Sequence, residues 1–359
     1  MHVPINVPIR NGTLEAHTLP SRSLLTKQTT WVHPRPNEGG EQCEVRWKHK
    51  NIKQKYKIPY LEHIIYLLLS DDLRMSSGIA NMSKQLVLGT VDKYDWVQLG
   101  AAIKHPDQGK IFDLSESVRN ETGVQDASVK LYPSDGYGNA DVIRQLMMVE
   151  KPDAILHFTD PRYWIWLYEI EHEIRQTTPL FFYHIWDDLP DPKYNRDYYE
   201  SCDWVGCISK LTYGIVKRVG KIENGVSWKP LEDWQISYVP HGINSDMFKP
   251  IDNISDDVKN FVNGNKEYEF IVFYNNRNIR RKQPSDVIWA FKRFVDGLPE
   301  EDRDKVCLLM HTAPIDQNGT DLFKVAETIA PNCDIKFSGN RVNQEQLNWI
   351  FNLVDCTIN

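Results

Sequence analysis

The fold is decided first by the stretch IIYLLLSDDLRMSSGIANMSKQLVL at residues 64–88. Residues 64–69 form a continuous apolar run of strand length, and residues 76–78, Ser-Ser-Gly, mark a turn. Apolar residues then recur at helical spacing over residues 79–88. The stretch therefore predicts a buried strand, a turn and a helix.

Similar units follow along the next 140 or so residues. Strand-like runs lie at 96–99, 154–158, 180–184 and 204–208, and helix-like segments lie at 140–149 and 210–219. Strands that alternate with helices indicate a parallel, doubly wound sheet. Because the strands are apolar on both faces, we expect helices to cover the sheet on each side.

A second unit begins after residues 251–266, which are rich in Asn, Asp and Gly. Strands are predicted at 268–274, 306–310 and 334–337 and from Asp355, with helices at 286–295, 321–330 and 344–353. The predicted organisation is an irregular extension (1–58, with a basic stretch at 48–55), a first Rossmann-like acceptor domain (59–250), a linker (251–266) and a second Rossmann-like donor domain (267–359). A doubly wound domain normally needs about 120 residues, so the second is predicted to be incomplete.

Composition narrows the possible functions. The 359 residues carry 42 Lys+Arg against 49 Asp+Glu, a formal charge of -7, which argues against a broad nucleic-acid or membrane footprint and leaves room for a local phosphate site. The longest apolar run, at 64–69, is far too short to cross a bilayer, and the N-terminus has no signal pattern, so we expect a soluble cytoplasmic protein. The six scattered cysteines fit neither a zinc site nor a disulfide framework.

The segment NNRNIRRKQP at residues 275–284 carries four cations between a predicted strand and a predicted helix. A helix N-terminus at the carboxyl edge of a parallel sheet offers free amides and partial positive charge to a phosphate. We therefore predict that Arg277 and Lys282 bind a donor diphosphate. An exposed charge cluster on a turn is the alternative.

These residues resemble the family 4 glycosyltransferases, which have the GT-B architecture of two Rossmann-like domains facing a cleft. In that family the second domain opens with a strand, then Gly-Arg, four residues and Lys-Gly before a helix containing Ala-Phe. Here Asn276-Arg277, Lys282-Gln283 and Ala290-Phe291 stand in those places. Asn276 and Gln283 replace the two glycines.

Three further segments match the same family in order. VPHGIN at 239–244 is similar to the inter-domain stretch, and IKFSGNRV at 335–342 to the strand and loop that lie against the nucleotide base. SSGIA at 76–80 is similar to the small-residue loop after the first strand. The resemblance therefore implies that donor contacts come from Ser77, Gly78, Asn340, Arg341 and Val342. The family's paired glutamates come just beyond the last strand, so the sequence predicts a second domain without them.

On the acceptor side, LHFTDPR at 156–162 ends a strand where the family has a histidine motif. We favour Asp160 as the catalytic polar group, with His157 as a weaker candidate. A core histidine and an Asx turn or helix cap are the respective alternatives. HIWDDLP at 184–190 ends the next strand, and we expect Asp187 in the cleft but not as a metal ligand.

Aromatic residues are dense around these motifs. They could stack on a sugar or another planar acceptor, or they could be core residues. The set consists of Tyr163, Trp164, Trp166, Tyr168, Tyr194, Tyr198 and Tyr199.

The resulting hypothesis is transfer of a hexosyl or related group from a nucleotide-diphosphate sugar to an acceptor on the first domain. The resemblance implies retention of configuration, no metal and no cofactor beyond the nucleotide sugar. The acceptor class stays open among glycan, lipid, protein and modified nucleic-acid base. Alternatives on the same fold are a nucleotide-sugar epimerase, a sugar phosphorylase and a non-catalytic binding scaffold.

Overall fold

A computed structural model describes residues 64–102, 107–220, 231–264, 266–339 and 341–359. The predicted extension, residues 1–58, and its basic stretch lie outside the described residues. Contacts within the chain divide it between Pro240 and His241 into two compact units, and each unit has a sheet of its own.

The first unit is built on an eight-stranded sheet in the order β3-β4-β2-β1-β5-β6-β7-β8. Every neighbouring pair is parallel except β3 and β4, which are antiparallel. The strands are β1 (Ile64–Asp71), β2 (Tyr94–Ala101), β3 (Phe112–Asp113), β4 (Val129–Pro133), β5 (Ala154–Phe158), β6 (Leu180–His184), β7 (Trp204–Cys207) and β8 (Ile236–Tyr238).

Helices cover both faces of this sheet, as the continuous apolar strands predict. Successive residues of β1 alternate between two core clusters: Leu67 and Leu69 belong to one, and Leu68 belongs to the other. The helices are α1 (Gly78–Leu88), α2 (Ser115–Thr122), α3 (Ala140–Glu150), α4 (Ile165–Glu169), α5 (Glu171–Ile174), α6 (Arg196–Glu200) and α7 (Lys210–Gly220).

The second unit has a four-stranded, fully parallel sheet in the order β11-β10-β9-β12. Its strands are β9 (Phe270–Asn275), β10 (Val306–His311), β11 (Ile335–Phe337) and β12 (Cys356–Ile358). Its helices are α8 (Asp256–Asn263), α9 (Pro284–Asp296), α10 (Leu322–Ile329) and α11 (Gln344–Leu353). Adjacent β9 residues again feed separate clusters, Phe273 on one face and Tyr274 on the other.

The division between the units precedes the predicted one by about ten residues. Residues 241–250 were predicted to end the first domain, and residues 251–266 to form a linker, but both stretches group with the second unit. The side-chain amides of Asn348 and Asn352 on α11 donate to the Lys249 carbonyl at 3.1 and 3.0 Å. The Ile251 amide donates to Asn352 Oδ1 at 2.8 Å, and α8 forms within the predicted linker. These bonds attach the segment to α11.

The structure also bears on the expectations about membrane-spanning segments and cysteines. In the part of the chain that the structure describes, no helix is both long and apolar enough to cross a bilayer. The five cysteines in that part are free thiols, and Cys202, Cys207 and Cys307 are buried.

Candidate functional site

The candidate residues of the first unit lie where β1, β5 and β6 end. In the loop after β1, Ser77 begins α1: its Oγ accepts a hydrogen bond from the Ala80 amide at 3.0 Å and donates one to Asp71 Oδ2 at 2.5 Å. A Cβ added to Gly78 would meet no atom within 4 Å. The helix N-terminus therefore opens onto free space at the point where the resemblance implies a donor contact.

A buried glutamine, which the sequence reading did not single out, holds this loop from beneath. Gln98 on β2 is 1% exposed. Its Nε2 donates to Ser70 Oγ at 2.9 Å and to the Asp71 carbonyl at 2.8 Å, and its Oε1 accepts from the Leu73 amide at 3.0 Å. Burial raises the pKa of Asp71, and the hydrogen bond from Ser77 opposes this. The sequence does carry a signal for this role: Gln98 is a polar residue within an otherwise apolar stretch of its strand, and a buried polar side chain needs hydrogen-bond partners.

His157 lies in the core beneath this edge, not at its surface. The ring is fully buried, stacks on Phe182 at 5.0 Å and places Nδ1 2.7 Å from the Tyr168 hydroxyl. His184 on the neighbouring strand is arranged similarly, with Nε2 2.7 Å from the Tyr199 hydroxyl. Burial lowers the pKa of each ring to about 3, so both are neutral near pH 7. Neither ring presents a nitrogen to a surface ligand.

Asp160 lies at the edge itself. It is half-buried, caps the short turn Pro161–Tyr163 by accepting from the Arg162 amide at 3.0 Å, and forms a bidentate ion pair with the Arg162 guanidinium. Burial alone would raise the pKa of Asp160, but the hydrogen bonds from Arg162 outweigh it and lower that pKa. The carboxylate is therefore charged and fixed, and it fills the capping role; a contact with an acceptor stays a prediction.

Asp187 and Asp188 follow β6 and are both exposed. Asp188 closes a local turn: its Oδ1 accepts from the Leu189 amide and its carbonyl accepts from Trp186 Nε1, each at 2.8 Å. Asp188 is thus engaged within its own turn. Asp187, the residue after Trp186, is exposed to solvent.

The aromatic residues divide into two groups. Trp164, Tyr168 and Tyr199 are buried and belong to the core. Tyr163 and Tyr194 are respectively 57% and 61% exposed. Trp166 and Tyr198 are partly buried and pack against the same core cluster. The core alternative therefore holds for these five residues, and stacking on a ligand stays a prediction for Tyr163 and Tyr194.

In the second unit, hydrogen bonds connect the β9–α9 turn to the loop after β10. The side chain of Asn278 is fully buried, and its Nδ2 donates to the carbonyls of Ala313, Pro314 and Thr320. Arg277 Nε lies 3.1 Å from Asp316 Oδ2, although the Arg277 side chain is 64% exposed. The predicted phosphate ligand Arg277 thus already has a carboxylate partner on the neighbouring loop.

Lys282 lies at the end of the short turn Arg280–Lys282. Its backbone carbonyl accepts from the hydroxyl of the buried Tyr274 at 3.2 Å. Within the described part of the chain, Arg280, Arg281 and Lys282 form no salt bridge. Three cations without a salt bridge in this part of the chain therefore precede α9, of which the sequence-based prediction names only Lys282, together with the paired Arg277.

Gln283, which stands where the resemblance has a glycine, adopts the left-handed conformation, with φ 47° and ψ 48°. A glycine adopts this conformation without a steric cost, whereas a residue with a Cβ does not. Pro284 follows as the first residue of α9, a position where its missing amide proton is not needed. The backbone at this turn therefore retains the geometry that a glycine would favour.

A cavity of about 490 Å³ adjoins this turn. It is bounded by Arg280 and Gln283 on one side and by residues 317–320 on the other, with Pro284, Ser285 and Asp286 at the start of α9. Arg277 and Lys282 do not line it. Arg280, which the sequence reading included only as part of a charged run, is the cation nearest this space.

The remaining predicted donor residues lie after β11. Asn340 is outside the described residues, Arg341 is exposed, and Val342 packs on the core cluster that contains Ile350. His311 Nδ1 at the end of β10 lies 3.1 Å from Ser338 Oγ after β11, which joins these two strand ends.

Among the described residues, no three or more His, Cys, Asp or Glu side chains are grouped so that they could hold a metal ion. The first unit has a separate cavity of about 300 Å³ beside β4, lined mainly by apolar side chains such as Leu99, Ile111 and Val149.

Comparisons with known proteins concern the fold. No family model matches the chain, and no curated protein matches it in sequence. Among solved structures, it is similar to an alpha,alpha-trehalose-phosphate synthase (UDP-forming) from Burkholderia vietnamiensis, at 12% identity over 84% of this chain and 77% of that chain, with a TM-score of 0.52. It is also similar to OtsA in its apo form, at 11% identity, 82% and 77% coverage and a TM-score of 0.58.

A third similar structure is trehalose-6-phosphate from E. coli bound with UDP-2-fluoro glucose, at 12% identity, 82% and 77% coverage and a TM-score of 0.55. At such identities the likeness establishes the architecture and leaves activity to the residues of this chain. The sequence-based fold prediction is confirmed: the chain has the GT-B fold, with two Rossmann-like units.

Proposed function

We propose that this chain is a glycosyltransferase that takes its sugar from a nucleotide diphosphate donor. The observation that carries the proposal is the β9–α9 turn, where Arg280, Arg281 and Lys282 lack salt bridges in the described part of the chain and precede the N-terminus of a 13-residue helix. Cations and a helix N-terminus at the carboxyl edge of a Rossmann-like sheet suit a diphosphate.

These cations have a chemical role in the proposed transfer. When the bond between sugar and diphosphate breaks, the leaving nucleotide gains negative charge, and fixed cations stabilise that charge more in the transition state than in the ground state. Arg277 also contributes if the incoming phosphate either displaces Asp316 from the Arg277 guanidinium or binds the guanidinium beside Asp316. The Lys282 backbone is held by Tyr274, which fixes the point from which this side chain extends, just before α9.

The first unit supplies the acceptor side in this proposal. Asp160 is held charged by Arg162, and in this proposal its carboxylate accepts a hydrogen bond from an acceptor hydroxyl. His157 and His184 are neutral and enclosed, so the mechanism does not use an imidazolium. Retention of configuration, independence of metals and the absence of a further cofactor belong to the proposal through the family resemblance.

The test begins with nucleotide binding to the full chain. Thermal shift and calorimetry with UDP, GDP, ADP and TDP are expected to reveal at least one ligand, because binding to the native state raises Tm. Arg277→Ala, Arg280→Ala and Lys282→Ala are each expected to weaken that binding about tenfold, equivalent to about 1.4 kcal/mol, and Arg280 is the one that lines the cavity. Lys292→Ala is the matched control: Lys292 bonds to Asp296 on α9 and lies about 12 Å along the helix from its first residue, Pro284.

Turnover is then measured with the corresponding nucleotide sugars and a panel of acceptors. Release of nucleotide diphosphate that depends on an acceptor supports transfer. Conversion of the donor without an acceptor identifies an epimerase, and consumption of inorganic phosphate identifies a phosphorylase. If no nucleotide diphosphate changes Tm, the proposal is overturned.

A further inference from the structure

Two exposed tyrosines form rigid platforms at the edge of the first sheet. Tyr163 stacks on Tyr137 with ring centroids 4.7 Å apart and an interplanar angle of 9°. Tyr194 contacts Trp186 edge-on at 5.9 Å. Each exposed ring thus packs against a second ring, which limits its motion, while more than half of its surface stays exposed. Large exposed aromatic residues that are held in place in this way are typical of binding surfaces.

The Asp160–Arg162 ion pair joins these two platforms. The Arg162 guanidinium lies over the Trp186 ring, 5.5 Å from its centroid, while its Nε donates to Asp160 Oδ1 at 2.9 Å. The ion pair with Asp160 raises the pKa of Arg162, and the nearby hydroxyls of Tyr194 and Tyr163 add to the effect. Both tyrosine hydroxyls are therefore within electrostatic range of the guanidinium. We call Tyr137, Asp160, Arg162, Tyr163, Trp186 and Tyr194 the aromatic–carboxylate cluster.

The charges near this cluster disfavour an anionic ligand. The one guanidinium of the cluster is neutralised by Asp160. Asp187 and Asp188 are exposed directly after Trp186, and burial together with the negative charge of Asp71 raises the pKa of Tyr137 to about 12. A phosphorylated sugar or a nucleic-acid backbone needs several uncompensated cations, and the described residues of the cluster itself provide none; the exposed Lys193, next to Tyr194 in the chain, lies outside the cluster.

We propose that the aromatic–carboxylate cluster is a binding site for a neutral carbohydrate, the acceptor of the transfer reaction. The apolar C–H faces of the sugar rings would lie on Tyr163 and Tyr194, and hydroxyls would donate to Asp160 and accept from Arg162. A pyranose combines an apolar face with a rim of donors and acceptors, so its chemistry matches both parts of the cluster. Naming the ligand as the acceptor rests on the proposed function, whereas carbohydrate binding itself does not.

The test measures binding to the full chain without any nucleotide. Cellotriose, maltotriose and chitotriose are titrated by calorimetry and by tryptophan fluorescence, with glucose 6-phosphate and a short single-stranded DNA as anionic probes. At least one neutral trisaccharide is expected to bind more tightly than either anion. Tyr163→Ala and Tyr194→Ala are each expected to weaken its binding about tenfold, the loss of one stacking contact.

Tyr163→Phe is the matched control, because it keeps the ring and removes only the hydroxyl, and its Kd should stay within about twofold of the wild-type value. Both tyrosines are mostly exposed, so the variants are expected to fold, and circular dichroism checks this. If no trisaccharide binds, if Tyr163→Ala binds as well as the wild type, or if DNA or glucose 6-phosphate binds more tightly through Tyr163, the inference is wrong. Acceptor-dependent nucleotide release without carbohydrate binding would overturn this inference alone. Carbohydrate binding in a chain that binds no nucleotide would overturn the proposed function alone.

Discussion

Asn278 and Thr320 exchange two hydrogen bonds across the loops that follow β9 and β10. Asn278 Nδ2 donates to the Thr320 carbonyl at 2.7 Å, and the Thr320 amide donates to Asn278 Oδ1 at 3.2 Å. One buried side chain thus satisfies both backbone groups of a residue 42 positions away. The exchange determines the separation of the two loops that border the 490 Å³ cavity.

Replacing this side chain should loosen the cavity wall. Asn278→Ala leaves the Thr320 amide and the carbonyls of Ala313 and Thr320 without this partner, while the Pro314 carbonyl keeps its bond from the Leu322 amide, and we expect a cost of about 2–4 kcal/mol in the free energy of unfolding. Urea denaturation measures the change. Asn276→Ala, which removes one bond to Asn359 from a half-buried residue, should cost less than about 1 kcal/mol. Equal losses in the two variants would contradict the role given to Asn278.

Neutralising the partner of Arg277 should tighten nucleotide binding. In Asp316→Asn, the side chain can still accept from the Asn318 amide, but the charge facing Arg277 is gone. If Arg277 meets a phosphate, the affinity for nucleotide diphosphate should rise roughly threefold to tenfold at low salt. Calorimetry provides the measurement, and Asp321→Asn, which caps α10 beside Lys324, is the control. A weaker affinity would mean that Asp316 positions Arg277 for the ligand.

Gln283→Gly should stabilise the second unit. Because Gln283 has a φ of 47°, a glycine would relieve strain of about 0.5–1 kcal/mol after allowing for the greater freedom of the unfolded chain. Thermal denaturation should show a higher Tm. Ser285→Gly, two residues further on within α9, should lower Tm instead, since glycine is a poor helix former. A rise in Tm for Gln283→Gly together with a fall for Ser285→Gly would show that the effect comes from the left-handed backbone at residue 283. A fall in both variants would contradict it.

Gln98→Met should destabilise the first unit and disturb the loop after β1. Methionine keeps the length of the side chain but cannot bond to Ser70, Asp71 or the Leu73 amide, so we expect a loss of about 2–3 kcal/mol. Gln125→Met, at an exposed position, should change stability by less than about 0.5 kcal/mol. A Gln98 variant as stable as the wild type would show that the network is dispensable.

The stability of the first unit should fall as the pH is lowered from 7.5 to 5.5. His157 and His184 have a folded-state pKa of about 3, below the unfolded value of 6.5, so the unfolded chain binds more protons in this range. Each histidine should contribute a loss of about 1.4 kcal/mol between these two pH values. Urea denaturation at both pH values measures it. His157→Gln, whose amide can still bond to Tyr168, should roughly halve the drop, and an unchanged drop would contradict the assignment.

Most of the regular elements were predictable because their apolar patterns are unambiguous. Strands at 154–158 and 180–184 and the helix at 344–353 have the predicted bounds. The short strand β4 and its antiparallel neighbour β3 were missed, because a five-residue strand containing Lys130 and Tyr132 has no clear apolar run. The roles of the site residues, beginning with Arg277 and Lys282, stay predictions.

By itself, the sequence determined the doubly wound architecture, because continuous apolar strands alternating with amphipathic helices can bury their surfaces in few other ways. The sequence also shows polar and charged residues shortly after strands β1, β5, β6 and β9. Only the tertiary structure decided which of them face solvent: His157 is enclosed by aromatic rings, Tyr163 is exposed, and Arg277 is matched by Asp316 from a loop 39 residues away. Such pairings depend on how separate loops meet at a sheet edge, and local sequence patterns carry no information about that distance.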